Sequence, residues 1–392
     1  MSGAELRFEA FKNEALPFDR LDRHLLVIGQ SGSGKSYFLG RLIEEIALKT
    51  SARVVVLDRA GDFVKLGVAS DGKGPSRLPV SVHSKWRTDW TAEGIESLSL
   101  SVHPSWLSPI DLCAAMGLPA APEYWAPIAA AQRAQDRTYD MRQLRDALAK
   151  QSPRPDQIIT LLNGIDQLTE GLFFPFRSDS HANELPLDTA GCVVDGLVEW
   201  EKRVSPKVHV VDLSWLARAH ARNLLALAVL RAIWEVGRRQ WLRRHLTQEA
   251  VYRTPIYVVI DEAHHLCPRE QPASDLADRV RDALIEIAAE GRKYGLWLVI
   301  ATQRPTRLHG SLVSEASNLL LMRTTAPTDL SFLSDLLGIR MSRLARLERK
   351  KGFCYLAGEW SDGQVKKAQV SDRLSLHVES IELTEWVLPK RS

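Results

Sequence analysis

Eight consecutive residues, Gly29, Gln30, Ser31, Gly32, Ser33, Gly34, Lys35 and Ser36, satisfy the spacing G-x-x-x-x-G-K-S. Glycines so placed let successive backbone N–H groups converge on phosphate oxygens. Lys35 brings a point charge to the β- and γ-phosphates, and Ser36 offers a hydroxyl to Mg²⁺. The expectation is a site for ATP with Mg²⁺. A second group lies in "YVVIDEAHHL". An acidic pair closing a buried apolar run is costly unless a cation sits beside it. Asp261 is therefore expected to hold Mg²⁺ through water, and Glu262 to act as general base toward the attacking water. His264 has two readings: a link from the nucleotide site to a nucleic-acid site, or a satisfied turn histidine.

A third group brackets one strand. In "GRKYGLWLVIATQRPT", residues 296–300 are apolar, with Arg292 and Lys293 on one side and Gln303 and Arg304 on the other. Gln303 is expected to end a strand beside the phosphate loop. Its amide both donates and accepts, so it orients water without carrying charge. Arg292 is placed on the turn at the opposite end of that strand, out of reach of its own γ-phosphate. It is expected to serve a neighbouring subunit as an arginine finger in trans, with Arg304 and Arg323 as the other candidates.

The elements that must position these groups are legible as short apolar runs alternating with helical periodicity. "HLLVIG", "RVVVLD", "VHVVDLS", "IYVVIDE", "LWLVIATQ" and "NLLLMR" read as strands. Phe38, Leu39, Leu42, Ile43 and Ile46 mark one face of the helix after the phosphate loop. Strands apolar on both faces and alternating with helices predict an α/β fold, a mostly parallel sheet covered by helices on both sides. Residues 1–83 and 207–370 are expected to form this core. A helical insertion at 84–206, between the second and third strands, and a tail at 371–392 complete the chain. "FFPFRSDSHANELPLD" (173–188) reads as loop.

Bulk properties bound the answer. The chain has 392 residues, 45% hydrophobic and 25% charged, with a formal net charge of +3. That balance neither requires nor excludes nucleic acid. Cys113, Cys192, Cys267 and Cys354 are scattered, with no metal-binding spacing. There is no signal-peptide pattern, and the longest apolar stretch, "LLALAVL", is far short of a membrane span. A cytoplasmic protein without membrane partners is expected.

Taken together, the phosphate loop, "VVVLDRAGDF", "VVIDEAHHL", "AAEGRKYGLWLVIATQRP" and "NLLLMRTTAPTDLSFLSDLLG" resemble the HerA branch of the HerA/FtsK superfamily of hexameric RecA-like P-loop ATPases. In that resemblance Asp58 and Asp62 match the family's acid-glycine-acid strand end, Gln303 is the sensor and Arg292 the trans finger. The resemblance implies a homohexameric ring with DNA in its channel and a nuclease or other effector as partner, in DNA processing or phage defence. HerA-type enzymes usually carry an N-terminal β-barrel, and with the phosphate loop starting at Gly29 none is expected here.

The function expected is an ATP-driven motor that translocates along DNA or opens it. The alternative is a nucleotide-gated scaffold that controls an effector without net translocation, and a weaker one is a protein-export ATPase. Arg238, Arg239, Arg243 and Arg244, interleaved with Trp241, form a basic cluster. It reads either as a nucleic-acid contact or as a solvated complement to a helix C-terminus.

Overall fold

A computed structural model of the chain describes residues 7–14, 16–84, 96–99, 104–135, 139–151, 155–170, 207–246, 254–344 and 352–377. The expected loop at 173–188 and Cys192 lie outside the described residues.

Arg7–Phe8 (β1) and Leu16–Pro17 (β2) form a small antiparallel pair. The main sheet is built from Leu25–Ile28 (β3), Arg53–Asp58 (β4), Val80–Ser84 (β5), Glu96–Ser99 (β6), Val208–Asp212 (β7), Ile256–Ile260 (β8), Leu296–Thr302 (β9), Asn318–Met322 (β10), Phe353–Gly358 (β11) and Lys366–Gln369 (β12). Their spatial order is β12-β11-β10-β3-β9-β8-β4-β7-β5-β6. Every pairing from β10 to β6 is parallel, and β11 and β12 add an antiparallel edge. This is the RecA-like order, with the phosphate-loop strand β3 between β9 and β10.

Alternate strand residues feed two cores, because side chains along a strand point to opposite faces. Leu26, Ile28, Val55, Leu57, Val258, Ile260, Leu298 and Ile300 lie on one face. Leu25, Val27, Val54, Val56, Val259, Val299 and Ala301 lie on the other. The second face is covered by Lys35–Lys49 (α1), through Phe38, Leu39, Leu42, Ile43 and Ile46. The first face is covered by the helices described next.

The span expected as a helical insertion holds Pro109–Ala115 (α2), Pro122–Arg133 (α3), Met141–Ala149 (α4) and Pro155–Glu170 (α5). Ser108 and Asp140 start α2 and α4 with reciprocal capping boxes. These helices share the first-face core with Ala219–Leu246 (α6) and Asp275–Tyr294 (α7). Asp111 of α2, fully buried, accepts from Arg231 of α6 at 3.3 Å and from Arg279 of α7 at 2.7 Å. Two strands in this region differ from the expectation of helices only: β5 ends at Ser84, and β6 lies within 84–206. The run "VSVHS" mixes polar with apolar residues, and "ESLS" has a single aliphatic side chain. Neither shows the continuous apolar signature of the central strands.

The described part of the expected tail, 371–377, is packed rather than free. Arg373 and Ser375 are buried against α1. Among the described residues no helix is long and apolar enough to cross a membrane.

Candidate active site

The phosphate loop leaves the sheet between two neighbours that hold it open. Gly29 N–H donates to Thr302 O at 3.3 Å on β9, and Gln30 N–H to Arg323 O at 2.9 Å after β10. A side chain at Gly29 would place its Cβ 2.5 Å from Ser33 Oγ and 2.8 Å from Met322 Cβ, so only glycine fits. Gly34 has φ 103°, a left-handed conformation favoured by glycine, and turns the chain into α1. Ser31 and Gly32 face solvent, whereas Lys35, the first residue of α1, is only 6% exposed. The loop thus presents its backbone N–H groups and the helix N-terminus to one point, the arrangement that binds phosphate.

The acidic pair meets this loop from β8. Asp261 Oδ2 accepts from Ser36 Oγ at 3.4 Å. Glu262 Oε1 lies 3.4 Å from Lys35 Nζ. Burial and the neighbouring Glu262 push the Asp261 carboxyl up to about 6. A divalent cation beside it would favour the ionised form. The hydroxyl–carboxylate pair is the hard-oxygen donor set that Mg²⁺ takes, so these residues fit a magnesium nucleotide.

Glu262 has φ 51° and ψ 47°, left-handed for a non-glycine residue. Such a conformation costs about 1–3 kcal/mol and persists only where its surroundings hold it. They do. Gln303 N–H donates to Glu262 Oε2 at 3.3 Å, and His264 Nδ1 lies 3.3 Å from the same oxygen. Gln303 follows the end of β9, which pairs with β3 in the register Ile28 to Thr302. The sheet therefore brings Lys35, Ser36, Asp261, Glu262 and Gln303 to one edge.

Comparison with known proteins agrees with this geometry. The family described as "Helicase HerA, central domain" matches residues 15–159. A probable helicase of Methanocaldococcus jannaschii is 21% identical over 321 residues, 78% of this chain and 54% of the relative. The DNA double-strand break repair helicase HerA of Sulfurisphaera tokodaii is 27% identical over 188 residues, 48% of this chain and 33% of that protein. The chain thus spans about half or less of these relatives' length. Among solved structures, VirB4 of Thermoanaerobacter pseudethanolicus superposes with a TM-score of 0.57 at 14% identity, covering 95% of this chain and 97% of that one. The bacterial conjugative coupling protein TrwBdeltaN70 does so with a TM-score of 0.57 at 15% identity, covering 97% and 92%.

The chain is similar to HerA/FtsK-type P-loop ATPases in part of its sequence and in its fold.

Within this core the remaining candidates are spread out. Arg292 sits in the last turn of α7, not on the turn expected from the sequence. The helix runs on to Tyr294 and ends at Gly295, whose left-handed backbone donates to Arg292 O at 3.2 Å. The reason is helix propensity: Arg292 and Lys293 extend the helix, and the glycine that stops it is Gly295, not Gly291. Arg292 is exposed at the end of β9 opposite Gln303. Next to it, Lys293 Nζ lies 4.4 Å above the Trp241 ring, and Trp241 and Trp234 both meet Tyr294 edge-on. Arg304 and Arg323 stand at the phosphate-loop end of the sheet.

Asp58, fully buried, accepts from the N–H groups of Gly61, Asp62 and Phe63 at 2.8, 3.2 and 2.8 Å. It shapes the loop that carries Asp62, and burial pushes its carboxyl up to about 7. In the basic cluster, Arg238 and Arg239 both pair with Glu235, at 2.9 and 2.8 Å. The side chains of Arg243 and Arg244 lie outside what the structure describes.

One participant was invisible in the sequence. Thr302, fully buried, has its Oγ1 3.0 Å from His264 Nδ1 and accepts Arg304 N–H at 3.0 Å. Its only signal was its place just before Gln303.

Proposed function

We propose that this chain is the ATP-hydrolysing subunit of a homohexameric ring motor that translocates along DNA or opens it, with a nuclease or other effector as partner. The observation that carries the reading is the meeting of Lys35 and Ser36 with Glu262 and Asp261 at one sheet edge, 3.4 Å apart in each pair. The relatives named helicases support the choice of DNA as substrate.

In this reading the loop N–H groups and Lys35 bind the β- and γ-phosphates. Ser36 and Asp261 would hold Mg²⁺, which would supply positive charge to offset that of the phosphates. Glu262 takes a proton from the attacking water as its oxygen bonds the γ-phosphorus, the bond to the β–γ bridging oxygen breaks, and ADP leaves. The Gln303 amide orients that water. Arg292 of the next subunit meets the charge that develops on the transferred group.

The test is ATP turnover with and without duplex and single-stranded DNA over a salt series. DNA is expected to raise turnover, with an effect that shrinks steeply as salt rises and phosphate contacts are lost. Turnover indifferent to DNA at low salt, in rings that assemble normally, would instead favour the nucleotide-gated scaffold.

A further inference from the structure

His264 is buried, sits two residues after Glu262, and contacts both the acid and a second strand. Its Nδ1 is 3.3 Å from Glu262 Oε2 and 3.0 Å from Thr302 Oγ1. Burial, reinforced by His265, Arg304, Arg59 and Arg307, pulls the ring down to about 4, so it is neutral near pH 7. A neutral imidazole carries one proton, and a carboxylate oxygen beside Nδ1 favours that proton on Nδ1. Thr302 Oγ1 has two lone pairs, one taken by Arg304 N–H, which leaves the other free to accept a proton from Nδ1 at 3.0 Å. Glu262 itself stands in a left-handed backbone conformation that needs holding.

We propose that His264 is a positioning residue, whose Nδ1–H holds the Glu262 carboxylate in its working orientation and ties it through Thr302 to the strand end that bears Gln303 and Arg304. The inference rests on Glu262 being the general base. The base and the water-orienting glutamine are then set by one hydrogen-bonded unit. Glu262 Oε2 accepts from Gln303 N–H and lies 3.3 Å from His264 Nδ1, while His264 and Arg304 N–H share Thr302 Oγ1. A shift of the 303–304 segment is felt at the base without passing through the nucleotide.

The experiment compares His264→Ala, His264→Asn, His264→Gln, Thr302→Val and Thr302→Ser with Glu262→Gln. Each is measured for kcat, KM, affinity for a non-hydrolysable ATP analogue and melting temperature. An Asn amide N–H falls where Nδ1–H stands, whereas a Gln amide reaches the Nε2 position. His264→Ala is expected to lower kcat on the order of 10²-fold, the scale of a misplaced catalytic group, with analogue affinity within a few-fold of wild type. Asn is expected to restore most of kcat and Gln little. Thr302→Val is expected to reproduce part of the loss and Thr302→Ser to reverse it. The Ala/Val double variant is expected to be no worse than His264→Ala, because the two act as one unit.

If Glu262→Gln is inactive while every His264 variant keeps a kcat within twofold of wild type, the positioning role is wrong and the base stands. If analogue affinity or melting falls in step with kcat, or Asn does no better than Ala, His264 is a packing residue. If Glu262→Gln itself turns over normally, the base assignment fails and this inference with it.

Discussion

Lys35 Nζ and Glu262 Oε1 stand 3.4 Å apart across the gap between the phosphate loop and the end of β8. The same ammonium is the group a triphosphate needs, so nucleotide competes with Glu262 for Lys35. Replacing Glu262 with Ala removes the competitor. Affinity for a non-hydrolysable ATP analogue, read by calorimetry, is expected to stay level or tighten a few-fold. Weakening by tenfold or more would mean that Glu262 supports binding instead.

Arg292 is exposed in a helix turn braced by the Lys293–Trp241–Tyr294 stack, at the end of β9 away from its own phosphate loop. As a finger supplied to a neighbour it acts on transition-state charge, and its loss typically costs on the order of 10³-fold or more in turnover. Arg292→Ala is therefore expected to bind ATP and form rings but hydrolyse at that lower rate. Turnover within a few-fold of wild type, in intact rings, would pass the role to Arg304 or Arg323.

Residues 371–377 are fastened to the phosphate-loop helix by a buried acid. Glu44 accepts from Ser375 Oγ at 2.6 Å, from Ser375 N–H at 2.9 Å and from Arg41 Nη1 at 3.1 Å, with Arg373 Nε 3.7 Å away. Glu44→Ala leaves Arg373 without its carboxylate, while Arg41 keeps Glu45, and breaking a buried pair in this way costs about 3–5 kcal/mol. Denaturant unfolding is expected to show a loss of that size, against about 1.5–3 kcal/mol for Ser375→Ala, which removes the hydroxyl's bonds to Glu44 and from Arg373.

The sequence displayed the phosphate loop and the acidic pair in full, because each is contiguous and follows a strand whose residues are all buried. It also displayed β4, β8 and β9, for the same reason. It did not display β5 and β6, whose polar residues break the apolar run. The Thr302–His264 contact and the docking of Ser375 on Glu44 were equally hidden. Each joins residues far apart in the chain, through hydroxyls that carry no periodic signal. The end of α7 was misjudged locally, since two nearby glycines compete to stop the helix and only Gly295 takes the left-handed backbone.

His24 supplies a pH dependence with a definite sign. Its Nδ1 accepts Leu298 N–H at 2.9 Å, its Nε2 bonds Ala288 O at 3.0 Å, and burial pulls the ring down from 6.5 to about 4. The unfolded chain takes a proton that the folded protein refuses. The stability His24 contributes is thus present above pH 6.5 and lost as pH falls toward 4. At pH 5.5 the loss is about 1.4 kcal/mol. His24→Gln is expected to be less stable at pH 7.5, yet its decline from pH 7.5 to 5.5 should be smaller than wild type by about that amount. Parallel declines in urea titrations would contradict the assignment.

The most direct measurement is turnover of Glu262→Gln beside its nucleotide binding. The amide keeps the shape and leaves Lys35, Ser36 and Asp261 in place, but it cannot take a proton from water. Analogue binding is expected to match wild type while hydrolysis falls by about 10²–10⁴-fold, the usual worth of a general base. Hydrolysis near the wild-type rate, with binding intact, would contradict Glu262 as the base and the catalytic site built around it.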